Sequence, residues 1–86
     1  ILICHGGADS FVKPEQFQAY LTAMAASGLD YQVVVYGGAL HGFTNPDAGK
    51  YKIPALAYSP SADQRSWEHM KLFLDGLFGR PTGTKA

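Results

Sequence analysis

Ile1-Leu2-Ile3-Cys4-His5-Gly6-Gly7-Ala8-Asp9 opens the chain, and Tyr31-Gln32-Val33-Val34-Val35-Tyr36-Gly37-Gly38-Ala39-Leu40-His41 repeats its plan downstream. In each stretch an apolar run meets a glycine pair, and one ionisable residue follows. Short apolar runs of this kind suit strands buried on both faces of a parallel sheet. In the second run Tyr31, Val33 and Val35 face one way and Gln32, Val34 and Tyr36 the other, so both faces are largely apolar. The first strand is expected over residues 1–4 and the second over residues 31–36.

Between them lies a helical pattern. Pro14 marks its start, with Glu15 in the first turn where a negative charge suits the dipole. Phe17, Tyr20, Leu21, Met24 and Ala25 then recur at helical spacing, and Gly28 stands where a C-terminal cap belongs. Strand, helix and strand joined by short connections form a βαβ unit, and its crossover is expected to be right-handed.

Residues 44–60 carry no clear periodicity. Asn45-Pro46-Asp47 and Ala48-Gly49 are turn-like, and Tyr51, Ile53, Leu56 and Tyr58 are the side chains available to order the segment. It reads either as a pocket wall with Phe43, Tyr51 and Tyr58 facing a substrate, or as a cover for the end of the sheet. Ser61 to Gln64 then fits a capping box, with Ser61 at the N-cap. The helix that follows gathers Trp67, Met70, Phe73, Leu74, Leu77 and Phe78 on one side, with Trp67 expected as a core anchor, and Gly79 stops it. Residues 79–86 read as a frayed tail.

The 86 residues allow one domain or part of one, and 47% hydrophobic content argues against disorder. A net charge of zero gives no strong attraction to nucleic acid or to anionic membranes. No apolar run reaches membrane-spanning length, and no secretory signal pattern is present. The single Cys4 has no internal disulfide partner, and the Cys and His spacing has no zinc pattern. The chain starts inside a strand-like run with no initiator Met, which reads as a fragment and leaves localisation open.

Parallel strands deliver their following loops to one rim, and in open α/β sheets ligands bind on that rim. A carboxylate after one strand and a histidine after its neighbour have a specific use there. The acid accepts the Nδ1–H, fixes the tautomer, and leaves Nε2 to serve a nucleophile. Taken singly, Asp9 reads as a turn or helix cap and His41 as a loop histidine. In this order and after these strands, they read as an acid–base pair. Cys4, inside its apolar run, reads as a core thiol rather than a nucleophile. His69 reads as a solvated surface residue and His5 as a loop histidine or a weak substrate contact. A metal site from His5, Asp9 and His41 would need a convergence that spacing does not show, so no metal or cofactor is expected.

His5-Gly6-Gly7-Ala8-Asp9-Ser10-Phe11-Val12 and Tyr36-Gly37-Gly38-Ala39-Leu40-His41-Gly42-Phe43 together resemble the C-terminal part of the dienelactone hydrolase family. The likeness runs over residues 1–78. It implies the α/β class, as the C-terminal portion of an α/β-hydrolase fold. It also implies Asp9 as the acid and His41 as the base of a triad whose Cys or Ser nucleophile lies upstream, since no G-x-C/S-x-G elbow occurs here. The implied substrate is a small carboxylic ester or lactone, with His5, Phe43 and Tyr51 as weaker candidates for contacting it. Two strands and two helices leave sheet edges unpaired and apolar faces uncovered. The 86-residue chain by itself is therefore expected to be catalytically silent and to associate as a homodimer or intertwined oligomer. The competing reading is a binding module that reuses the fold without catalysis.

Overall fold

The computed structural model describes residues 1–79; the expected tail falls, beyond Gly79, outside the described residues. Strand β1 spans Leu2–Gly6, helix α1 Pro14–Ser27, strand β2 Gln32–Tyr36 and helix α2 Pro60–Phe78, with a short 3₁₀ turn at Ala48–Tyr51. β1 and β2 pair in parallel, with Leu2 opposite Gln32, Cys4 opposite Val34 and Gly6 opposite Tyr36. The βαβ unit read from the sequence is present, and the mixed α/β class with it.

Alternation along the strands assigns one helix to each face. His5 points to the α1 side, where its ring stacks on Phe17 at 4.1 Å. Cys4, Val34 and Tyr36 point to the α2 side, where Tyr36, Ala39, Phe43 and Ala62 form the core cluster. β1 runs two residues further than its apolar run. His5 therefore pairs with Val35 inside the ladder instead of beginning the turn.

Each helix end has a local cause. Gln16 Oε1 accepts the Lys13 N–H at 3.0 Å at the start of α1, and Gly28 closes that helix with φ 74°. The N-cap of α2 is Ser59, not Ser61: its hydroxyl accepts the Ala62 N–H at 3.3 Å. Pro60 decides the shift, because its fixed φ and missing N–H suit the first helical position. Gln64, displaced from the capping position, instead donates to Glu68 Oε1 at 3.1 Å.

Ala62 and Ser66 are the buried residues of α2. Trp67, expected in the core, is 55% exposed, because the face of α2 turned to the sheet is the one carrying Ala62 and Ser66. Leu74, Leu77 and Phe78 are exposed with it. Among the described residues, no helix is long and apolar enough to cross a membrane.

Candidate active site

Main-chain bonds sew the two post-strand loops together at the rim. Gly7 N–H donates to Tyr36 O at 2.8 Å and Ala8 N–H to Ala39 O at 2.9 Å, while Asp9 N–H closes the first loop onto Gly6 O at 3.1 Å. Gly6 makes this approach possible. A Cβ there would stand 2.6 Å from the Ala39 carbonyl oxygen, a distance main chain does not tolerate.

The approach places His41 Nδ1 2.9 Å from Asp9 Oδ2. An ionised carboxylate only accepts, so Nδ1 carries the proton and Nε2 keeps its lone pair on the far side of the ring. Phe11 N–H donates to the other oxygen, Asp9 Oδ1, at 2.9 Å. The Asp9 side chain is 8% exposed and that of His41 48%. Burial pushes the Asp9 carboxyl up, but the bonds from His41 and from the Phe11 and Val12 N–H groups outweigh it and hold the group below its ordinary range. A buried, ionised carboxylate therefore orients a half-exposed imidazole through its Nδ1. Such a pair can take a proton from a neighbouring hydroxyl or thiol and return it to a leaving group.

The other residues singled out in the sequence go elsewhere. Phe43 is buried, its ring 5.5 Å from Tyr36, because the chain turns inward at Gly42 (φ 71°) and seats the ring in the core. Tyr51 ends the 3₁₀ turn and is exposed, and the Tyr58 hydroxyl donates to Asp63 Oδ2 at 2.6 Å. Residues 56–59 return beside the histidine: Ala57 N–H reaches His41 O at 3.4 Å and Ser59 N–H reaches Phe43 O at 3.0 Å. His5, held on Phe17, shares a hollow of about 520 Å³ with Asp9 and Val12; His41 is not in its lining.

His69 is not a free surface residue. Its Nδ1 lies 2.6 Å from the Tyr36 hydroxyl, which also reaches Cys4 Sγ at 3.8 Å. Burial, reinforced by Cys4, pushes the Tyr36 phenol up to about 12. Among the described residues, no group of three or more His, Cys, Asp and Glu side chains is placed to hold a metal ion.

The profile of the dienelactone hydrolase family matches residues 1–78, which includes both loops and both helices. The chain belongs to the dienelactone hydrolase family. An uncharacterised protein of Caenorhabditis elegans is 31% identical over 78 residues, which are 91% of this chain and 49% of that protein. A crystal structure of a dienelactone hydrolase-like promiscuous phosphotriesterase from metagenomic libraries superposes with a TM-score of 0.86 at 41% identity. It covers 91% of this chain, which in turn covers 33% of that one. A second solved structure, m3DLH, gives 0.84 at 36% identity, with 90% and 32% coverage. The chain thus spans about half the length of the curated relative and about a third of the two solved dienelactone hydrolase-like proteins.

Proposed function

We propose that this chain supplies the acid and the base of a hydrolase that cleaves carboxylic ester or lactone bonds, Asp9 being the acid and His41 the base. Membership of the dienelactone hydrolase family and the likeness to two solved members support a hydrolase. The observation that carries the residue assignment is the 2.9 Å contact between His41 Nδ1 and Asp9 Oδ2 on the strand-end rim.

The nucleophile, a Cys or Ser, is supplied from outside these residues. His41 Nε2 takes its proton as the oxygen or sulfur attacks the carbonyl carbon, and Asp9 stabilises the imidazolium that forms. The imidazolium returns that proton to the departing alkoxide. His41 then takes a proton from water, whose oxygen attacks the acyl carbon; as the bond from that carbon to the nucleophile breaks, the imidazolium returns the proton to the nucleophile and the carboxylic acid is released. The 41% identical phosphotriesterase makes phosphotriesters the second substrate class to assay, since the same proton transfers serve attack at phosphorus.

The test exchanges this chain for the matching third of that phosphotriesterase and follows hydrolysis of an aryl ester and an aryl phosphotriester. The chimera should be active, and Asp9→Asn should lower kcat by a large factor, about 10⁴ in the best-studied triad. His41→Ala should do the same. An active chimera indifferent to Asp9→Asn would show that the acid lies elsewhere. The 86-residue chain assayed alone should show no His41-dependent turnover.

A further inference from the structure

The bond to Asp9 fixes one point of the His41 ring but not its plane. Half of the imidazole is exposed, and a single hydrogen bond lets such a ring tip about the N···O line or swing away into water. A second contact is present. The Phe11 ring lies 4.7 Å from the His41 ring at an interplanar angle of 49°, within the range of favourable tilted aromatic pairs. The main chain of the same residue holds Asp9, through Phe11 N–H to Oδ1 at 2.9 Å. One residue thus touches both members of the pair, with its backbone on the acid and its side chain on the base.

We propose that Phe11 is the positioning residue of the pair. Its ring fixes the plane of the His41 imidazole against Asp9 and keeps the Nδ1–H tautomer, so that Nε2 faces the open side of the rim. The ring does this by contact and by excluding water from one face of the Nδ1–H···Oδ2 bond, which strengthens that bond. The inference extends the acid–base reading, but its test does not depend on turnover. Phe11 is 53% exposed and lies outside the core cluster, so replacing it leaves that cluster untouched.

The experiment records ¹⁵N-resolved imidazole spectra of the 86-residue chain, in which His5 and His69 serve as internal controls. Phe11→Ala keeps the N–H bond to Asp9 and removes only the ring. It should shift the balance between the bonded Nδ1–H form of His41 and its unbonded forms by about three- to tenfold. The same variant should speed carbethoxylation of His41 by diethyl pyrocarbonate by a similar factor. His5 and His69 should not move, and Phe11→Tyr should restore the wild-type behaviour. The proposal is overturned if Phe11→Ala leaves the His41 tautomer and reactivity unchanged, or if Phe11→Tyr perturbs them as much as Phe11→Ala. Failure of the hydrolase reading would appear instead as an inactive chimera with the imidazole signature intact.

Discussion

At the scale of single residues, the contact between Asp9 and His41 was legible because chemistry and order coincide. An acid loop followed by a histidine loop, each after an apolar run of a parallel pair, brings both side chains to one rim. Phe11 was not legible as a partner of His41, since the contact depends on the path of the first loop. The depressed carboxyl of Asp9 has a consequence for acid stability. A group whose folded value lies below its unfolded one stabilises the fold above the unfolded value, about 3.9 for aspartate, and that contribution disappears as pH falls through the lower folded value. Thermal unfolding scanned from pH 6 downward should therefore show a loss of stability below about pH 4 that is smaller in Asp9→Asn. Gly6→Ala tests the rim itself. Its Cβ would meet the Ala39 carbonyl oxygen at 2.6 Å, so the loops must part and the His41 Nδ1 proton signal should lose its hydrogen-bonded shift. A preserved signal would mean that the close approach is dispensable.

The elements agree with the periodicity in kind and depart from it at their ends. Both helices and both parallel strands stand where periodicity put them, but the cap of α2 moved from Ser61 to Ser59 because Pro60 claimed the first helical position. Ser59→Ala should cost about 1 kcal/mol of stability and Ser61→Ala much less, as measured by denaturant unfolding. Equal costs would return the cap to Ser61. The link between α2 and β2 escaped the sequence altogether: a helical wheel sets His69 on the polar flank and cannot foresee that the Tyr36 hydroxyl reaches it. Tyr36→Phe keeps the ring on Phe43 and deletes this bond, together with the longer one to Cys4. It should lower stability by about 1–3 kcal/mol, because a half-buried imidazole nitrogen loses its partner. An unchanged midpoint in denaturant would show that water replaces the phenol at no cost.

For the whole molecule, the fold class followed from two apolar runs and the helix between them, while the fate of the apolar faces did not. Trp67, Leu74, Leu77 and Phe78 have core character by pattern and stand exposed, because no described residue covers them. Apolar hollows flank β1 on both sides. One, of about 480 Å³, has Leu2, Cys4, Trp67 and Met70 in its lining beside Thr44, Asp63 and Ser66; the other, of about 380 Å³, has Ile3, Val12, Phe17 and Tyr20 beside His5 and Gln16. We propose that the 86-residue chain associates with a second copy through these faces, as unpaired strand edges and uncovered apolar surface favour. Sedimentation over a dilution series should show a dimer or larger species, and a folded monomer at the lowest concentrations would end the idea.

The hydrogen bonds that bring Asp9 to His41 all join residues between Gly6 and His41, and most of them are main chain to main chain. The Asp9–His41 contact is thus held within one short span of chain, and on the proposed reading the acid–base pair is assembled independently of whatever supplies the nucleophile.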